Sequence, residues 1–128
     1  AAGRLTRDEA AEYLQELYLM VQAATPKSGA FTRGGESHFC VGGYLPDGSD
    51  GFNEVSRLIT ESLLDLPTYI PQITLRWTKK LSHEDFYWMM DMERRDPHKR
   101  IAFTNDEKRL ECYAVPRQVG KYRRREGF

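Results

Sequence analysis

The fold of this chain is decided by residues 42–106, which read GGYLPDGSDGFNEVSRLITESLLDLPTYIPQITLRWTKKLSHEDFYWMMDMERRDPHKRIAFTND. Within this stretch Ile73, Leu75 and Trp77 alternate with polar neighbours, and a period of two predicts a β-strand that opens at Pro71. A short strand is expected at 38–41, and a third apolar run occupies 101–104. Runs with helical spacing lie between these strands, so the pattern predicts strand, helix, strand, helix, strand.

Boundary residues mark the two helices between the strands. Asp50 is the expected N-cap of the first helix, and Pro67 ends it. Its expected buried stripe consists of Phe52, Val55, Ile59, Leu63 and Leu66. Ser82 and Asp85 form a capping pattern for the second helix. Its apolar residues lie nearly all round the helix, so we expect it to be buried on more than one side. They are Phe86, Tyr87, Trp88, Met89, Met90 and Met92.

A further helix is predicted before this stretch. Thr6 and Glu9 have the spacing of a capping box, in which each side chain bonds the backbone N–H of the other residue. The apolar stripe that follows consists of Ala10, Leu14, Leu17 and Val21, widened by Tyr13, Met20 and Ala24. Thr25-Pro26 is expected to end the helix, and residues 27–36 are expected to form a loop.

Strands that alternate with helices favour a parallel sheet with right-handed crossovers. Parallel sheets are normally covered on both faces, and three strands alone leave two open edges. Polar residues nevertheless occupy one whole face of the central strand, namely Gln72, Thr74, Arg76 and Thr78. A polar face in such a sheet is typical of a lumen or a cleft. The sequence therefore predicts an α/β fold that forms part of a barrel rather than a free-standing domain.

Composition argues against several classes of protein. The formal net charge of the 128 residues is +0, so no global charge attracts the chain to nucleic acid or to an anionic membrane. No apolar run approaches the roughly 18 residues that span a bilayer, and residues 1–8 are too polar for a signal peptide. Two cysteines, Cys40 and Cys112, are too few for a disulfide framework, so a cytoplasmic setting is expected.

Several short motifs occur in the order that they have in one family of enzymes. They are Gly3-Arg4-Leu5-Thr6 at the start of the first helix, Gly42-Gly43 after the first strand, Asp47-Gly48, Asn53-Glu54-Val55, Pro71-Gln72-Ile73-Thr74-Leu75-Arg76 and Asn105-Asp106. Each motif is weak by itself. Together, over residues 3–107, they resemble an internal stretch of the glycyl radical enzymes, the pyruvate formate-lyase-like family.

The resemblance implies a fold and a chemistry. The fold is a ten-stranded α/β barrel of two parallel half-barrels, in which this chain would form an N-terminal helix and part of one half-barrel wall. In that family an S-adenosylmethionine radical activase installs a radical on a backbone glycine. That radical oxidises a cysteine, and the cysteine thiyl attacks a small-molecule substrate. Family members include lyases, dehydratases and decarboxylases of anaerobic metabolism.

The family's catalytic loops do not occur at the matching places. The cysteine belongs to a Gly-Cys-x-Glu-like loop, and the glycine to a Gly-Tyr-like loop near the far C-terminus. Glu111-Cys112-Tyr113 follows Asp106 too soon and lacks the flanking glycine, so Cys112 is not assigned the thiyl role. We therefore expect an inactive fragment that has no catalytic residue and binds no cofactor or metal. Its expected partners are the rest of the parent barrel and the activase. The parent is expected to bind a small-molecule substrate and to be a homodimer.

Six residues are candidates for the substrate cavity or the barrel wall: Arg76, Thr74, Asn105, Asp106, His38 and Cys40. Arg76 can bind a substrate carboxylate through two hydrogen bonds. A pair with Glu54 or Asp106 that fixes the wall is favoured instead, because buried arginines are usually paired. Asn105-Asp106 follows a strand, where functional residues collect in α/β folds, but it is also ordinary turn chemistry. His38 and Cys40 share a strand face without a second pair of ligands, so no metal site is predicted.

The predicted domain covers residues 1–113, and residues 114–128 are expected to form a basic tail without recognisable structure. Five of the nine residues from Arg117 to Arg125 are basic. A truncated or frame-shifted gene end is one explanation for this tail. The alternative interpretation is a stand-alone α/β binding or interaction module, whose tail contacts nucleic acid or another acidic partner.

Overall fold

The computed structural model describes residues 3–24, 37–109 and 111–112. The predicted loop at 27–36 and the tail at 114–128 lie outside these residues. In chain order the elements are α1 (Arg7–Ala24), β1 (His38–Gly42), α2 (Glu54–Leu64), β2 (Gln72–Trp77), α3 (His83–Arg95) and β3 (Ile101–Asn105). The predicted succession of a helix followed by βαβαβ is confirmed.

The three strands form one parallel sheet in the order β1-β2-β3. Cys40 pairs with Thr74 across the first strand pair, and Thr74 pairs with Ala102 across the second. Consecutive strands are therefore neighbours, each joined to the next by a helix. This is the arrangement that the alternation of strand and helix patterns predicted.

The two faces of the sheet differ in chemistry. One face is apolar and packs against all three helices, in a core of Tyr18, Val41, Leu63, Ile73, Leu75, Leu81, Met89, Met92 and Ile101. The opposite face carries polar or small residues, namely His38, Cys40, Gln72, Thr74, Arg76, Ala102 and Thr104. His38, Cys40 and Ala102 are exposed there. On the same face Gln72, Arg76 and Thr104 are half-buried and Thr74 is buried, so the described elements leave this face only partly open.

Tyr18 is the fully buried residue of α1, although the predicted apolar stripe did not include it. Tyr18 is 0% exposed and donates a hydrogen bond of 2.7 Å from its hydroxyl to the carbonyl of Ile59 on α2. Burial raises the pKa of this hydroxyl. Tyr13 and Met20, expected in the stripe, are 60% and 62% exposed. Ala10, Leu14 and Val21 of the predicted stripe are half-buried, so the buried face is shifted toward Tyr18, whose hydroxyl has a hydrogen-bond acceptor on α2.

The start of α1 confirms the predicted capping box. The backbone N–H of Thr6 donates to Glu9 Oε2 at 2.7 Å, and the N–H of Glu9 donates to Thr6 Oγ1 at 3.2 Å. Both bonds satisfy donors that the first helical turn leaves without a partner. The hydrogen bonds from Thr6 lower the pKa of Glu9.

Helix α2 begins three residues later than predicted. Asn53 is its N-cap, with a side chain that accepts from the N–H groups of Val55 and Ser56, while Ser56 Oγ accepts from the N–H of Asn53. Asp50 was the predicted N-cap, but it accepts a bond from Phe52 N–H at 2.8 Å within the preceding loop. Val55, expected to be buried, is 62% exposed because it lies at the start of the first turn.

Helix α3 begins at the predicted cap but is buried on fewer sides than expected. Ser82 Oγ accepts from the N–H of Asp85 at 3.0 Å. Met89 and Met92 are buried, whereas Tyr87 is 71% and Met90 is 43% exposed. The prediction of burial on more than one side is wrong for the described part of the chain, since α3 contacts the sheet through one face. None of the described helices is long and apolar enough to cross a membrane.

A fully buried ion pair joins the ends of three elements. Arg100, directly before β3, bonds Asp96 at the end of α3 through Nη2 at 2.8 Å, and the two side chains are 1% and 0% exposed. Arg100 Nη1 also donates to the carbonyl of Leu66, just beyond α2, and to Thr68 Oγ1. Burial would raise the pKa of Asp96, but the hydrogen bonds from Arg100 and His98 outweigh it and lower that pKa.

Candidate functional site

The carboxyl ends of the three strands meet at one edge of the sheet. The register places Gly42 beside Arg76, and Arg76 beside Thr104. The chain continues from these ends into Gly43-Tyr44, Thr78-Lys79 and Asp106-Glu107. In α/β folds this edge is where ligands and catalytic residues collect. A functional site is therefore expected at this edge.

Arg76 and Asp106 form the centre of this edge. Arg76 Nε donates to Asp106 Oδ1 at 3.0 Å, and Nη2 donates to Oδ2 at 2.6 Å. The Asp106 side chain is 3% exposed and that of Arg76 is 31% exposed. Asp106 Oδ2 also accepts the backbone N–H of Tyr44 at 3.2 Å. One buried carboxylate thus joins the ends of all three strands, and the predicted pairing of Arg76 takes the Asp106 alternative rather than Glu54.

Gly43 leaves the space that the Arg76 guanidinium occupies. A Cβ on Gly43 would lie 2.6 Å from Arg76 Nε and 2.7 Å from Nη2, which is closer than real Cβ atoms come. Gly43 also has a φ of +88°, in the region that favours glycine. The backbone directly after β1 therefore packs against the guanidinium, and both the positive φ and this contact favour glycine at position 43.

Glu107 makes a second connection between the same strand ends. The Tyr44 hydroxyl donates to Glu107 Oε1, and the backbone N–H of Lys79 donates to the same oxygen at 3.4 Å. Lys79 Nζ lies 3.8 Å from Glu107 Oε2. The hydrogen bond between Tyr44 and Glu107 raises the pKa of the Tyr44 hydroxyl and lowers the pKa of the Glu107 carboxyl. Consecutive carboxylates after β3 therefore bind groups from both other strands.

The remaining candidates are separated into three local settings. His38 Nε2 and Thr74 Oγ1 share a hydrogen bond on the polar sheet face. Cys40 lies on the same face, exposed and with a free thiol. Asn105 Oδ1 accepts the N–H of Lys108 at 3.3 Å, so Asn105 begins the helical turn after β3. The structure thus brings Arg76 together with Asp106, and His38 together with Thr74, and gives Asn105 a turn role.

Sequence reasoning missed Gly43, Tyr44 and Glu107 as parts of the edge. Gly43 was identified only as part of the Gly-Gly pair after the first strand, and Glu107 only as the last residue of the stretch that resembles the family. Their adjacency to strand ends was a usable signal, because residues that follow parallel strands collect at one edge. Among the described residues, no group of three histidines, cysteines or carboxylates is arranged to hold a metal ion.

A family model described as Pyruvate formate lyase-like matches residues 1–115 of this chain. The chain belongs to the pyruvate formate lyase-like family. This confirms the resemblance that was drawn from the order of the short motifs. The matched residues include the whole helix and βαβαβ unit, together with the Arg76, Asp106 and Glu107 edge.

Two relatives in the pyruvate formate lyase-like family show how much of such an enzyme this chain represents. An isethionate sulfite-lyase from Nitratidesulfovibrio vulgaris is 29% identical over 121 residues, which are 88% of this chain and 14% of that protein. The crystal structure of a hydroxyproline dehydratase from Clostridioides difficile, with trans-4-hydroxy-L-proline bound, superposes with a TM-score of 0.63 at 29% identity. That match covers 82% of this chain and 14% of the dehydratase. The chain thus spans about 14% of the length of each relative.

Proposed function

We propose that this chain is one section of the barrel wall of a glycyl radical enzyme, with its polar sheet face toward the substrate cavity. The observation that carries the proposal is the asymmetry of the sheet. Three helices cover the apolar face, whereas the opposite face has no covering helix or strand among the described residues and exposes His38 and Cys40. A two-faced parallel sheet of this kind suits a wall between a helical exterior and a polar interior.

In this proposal the candidate residues have different tasks. His38, Cys40 and Thr74 lie on the cavity side of the wall. Arg76 and Asp106 hold the carboxyl ends of the strands in register, because their bidentate pair is short and its carboxylate is buried. The structural role of Arg76 is thus better supported than direct binding of a substrate carboxylate.

The reaction itself belongs to the rest of the enzyme in this proposal. A glycyl radical installed by an S-adenosylmethionine radical activase would supply the oxidising chemistry there, through loops that this sequence does not contain in recognisable form. The relatives act on different small molecules, isethionate in one and trans-4-hydroxy-L-proline in the other. We therefore propose a small-molecule substrate and a lyase or dehydratase type of reaction, with the enzyme as a homodimer in the cytoplasm.

The test begins with the coding sequence on both sides of this segment. Continuation into Gly-Cys-x-Glu and C-terminal Gly-Tyr loops, with a radical activase gene nearby, is the expected result. An independent coding sequence that ends with this domain, without an activase gene, would overturn the proposal. That result would favour the binding-module alternative, which a nucleic-acid binding measurement on the chain then checks.

Radical formation provides a biochemical test with an internal control. The 128-residue chain and the full enzyme are each incubated anaerobically with the activase and S-adenosylmethionine, and electron paramagnetic resonance spectra are recorded. We expect a glycine-centred doublet from the full enzyme and none from the chain. A doublet from the chain alone, lost on exposure to oxygen with backbone cleavage, would contradict this division of tasks.

A further inference from the structure

The loop between β1 and α2 is held together by its own hydrogen bonds. Residues 44–50 begin and end in an antiparallel bridge between Tyr44 and Asp50. Inside it, the N–H of Leu45 donates to the carbonyl of Ser49, and the N–H of Gly48 donates to the carbonyl of Leu45, each at 2.9 Å. Asp47 Oδ1 accepts the N–H of Ser49 at 2.9 Å. Several backbone N–H and carbonyl groups of the loop therefore form their hydrogen bonds within the loop itself.

Glycines lie at both ends of this loop. Gly42 and Gly43 precede it with φ values of +76° and +88°, and Gly51 follows it. The Gly51 N–H donates to the carbonyl of Gly43 at 2.8 Å, so the two ends of the loop are held side by side. Small residues at the ends of an internally bonded segment are suited to act as hinges.

Four side-chain hydrogen bonds attach the loop to the carboxyl edge of the sheet. Asp106 accepts the N–H of Tyr44, and Glu107 accepts the Tyr44 hydroxyl. Lys80 Nζ donates to the carbonyl of Gly48, and Thr78 Oγ1 donates to Asp50 Oδ2. Asp106 also accepts a hydrogen bond from Arg76. The attachments thus come from residues beyond β2 and β3, and each is a single polar contact.

We propose that residues 44–50 form a lid, hinged at Gly42-Gly43 and Gly51, that closes over the Arg76 end of β2. The bonds to Asp106, Glu107, Lys80 and Thr78 are the latches of its closed state. Only the statement that the lid closes over a substrate cavity rests on the proposed function. The hinge rests on the glycines at the ends of the loop, and the latches rest on the hydrogen bonds described above.

The lid has a distinctive signature in amide hydrogen exchange. A lid that opens as one body exposes the Tyr44 N–H, whose acceptor lies outside the lid. The N–H groups of Leu45 and Gly48 keep their acceptors, which move with them. Loss of local structure would instead expose all three amides together. Exchange measured residue by residue therefore separates lid opening from local unfolding.

The experiment compares the chain with a double variant, Tyr44→Phe with Lys80→Met, by nuclear magnetic resonance. This variant removes two latches, each a single hydrogen bond, so exchange at Tyr44's position should rise roughly tenfold. Exchange at Leu45 and Gly48 should change little. Tyr87→Phe is the matched control, because it removes a hydroxyl from an exposed tyrosine of α3.

The backbone N–H of Ile73, which donates to the carbonyl of Arg100 within the sheet, reports on the stability of the whole chain. If its exchange rises as well, Tyr44→Phe alone gives the same comparison with a smaller perturbation. An equal rise at residue 44, Leu45 and Gly48 would overturn the lid in favour of local unfolding. Unchanged exchange at residue 44 would show that these contacts are not latches.

Discussion

Arg76 and Asp106 share two hydrogen bonds, and of the two side chains only the carboxylate is fully buried. Arg76→Ala should lower the free energy of unfolding by about 3 kcal/mol, because it leaves a buried carboxylate without its cationic partner. Arg76→Lys should cost less, since it keeps the charge but loses the bidentate geometry. Urea unfolding monitored by fluorescence measures both changes.

The matched control for Arg76→Ala is Arg95→Ala. Arg95 pairs with Asp91 at 3.7 Å on the exposed side of α3, and its side chain is 53% exposed. Exposed pairs contribute about 0–1 kcal/mol. Equal losses in the two variants would show that the Asp106 pair does not stabilise the edge of the sheet.

Gly43 permits a second test at the scale of single residues. Gly43→Ala should destabilise the chain more than Gly48→Ala, although both glycines have a positive φ. The added methyl at Gly43 would collide with the Arg76 guanidinium, whereas at Gly48 the nearest heavy atom, Lys80 Nζ, is 3.9 Å away. The strain of the backbone, about 1–2 kcal/mol, is common to both variants.

Thermal unfolding of the two glycine variants therefore isolates the collision. The expected result is a lower midpoint for Gly43→Ala than for Gly48→Ala. Similar unfolding midpoints for the two variants would mean that the Arg76 guanidinium can move away from residue 43 without loss of stability. The variant Arg76→Ala combined with Gly43→Ala then serves as a check, because the collision should disappear when the guanidinium is absent.

At the scale of elements, the Asp96 and Arg100 pair connects the ends of α2 and α3 to the start of β3. The pKa of Asp96 is lowered from 3.8 in the folded chain, so the unfolded chain binds its proton more tightly. Its contribution to stability is therefore present above pH 3.8 and is lost as the pH falls through the folded pKa.

Asp96→Asn should remove this part of the pH dependence. Urea unfolding of the chain and the variant is compared at about pH 6 and at about pH 3. The chain should lose more of its free energy of unfolding than the variant does between these two conditions. The variant should also be the less stable of the two at the higher pH, because Arg100 stays buried without its anion. An identical loss in both proteins would show that Asp96 does not link stability to pH.

At the scale of the whole molecule, the 128-residue chain exposes surfaces that a self-contained domain covers. The described sheet has β1 and β3 as its two edges, and Tyr13, Leu17 and Met20 form an exposed apolar stripe on α1. Open edges and apolar patches favour association. We expect the chain to bind the dye ANS, to associate and to unfold over a broad temperature range.

Met20→Lys tests whether the α1 stripe is the cause. This change places a charge at the C-terminal end of the stripe, on its most exposed residue, so it should reduce ANS binding and association without altering the core. Light scattering and ANS fluorescence measure the two effects. A monomer with a sharp two-state transition and no ANS binding would contradict the expectation that the chain is part of a larger barrel.

The sequence by itself determined the succession of elements and the parallel sheet, because periods of two and of 3.6 are local properties. It also determined the family through the order of its short motifs, and the caps at Thr6 and Ser82, which involve residues three positions apart. These features need no knowledge of distant contacts. The sequence indicated Glu54 or Asp106 as the partner of Arg76 but could not distinguish between them.

Tertiary structure decided which faces and partners were used. Tyr18 rather than Tyr13 is buried because its hydroxyl finds the carbonyl of Ile59, which is 41 positions away in the sequence. Asn53 replaces Asp50 as a cap because the loop before α2 folds back on β1 through Gly51. The meeting of Tyr44, Arg76 and Asp106 depends on strand register, which fixes residues far apart in sequence at one edge of the sheet. Such contacts are set by packing in three dimensions, and no local period encodes them.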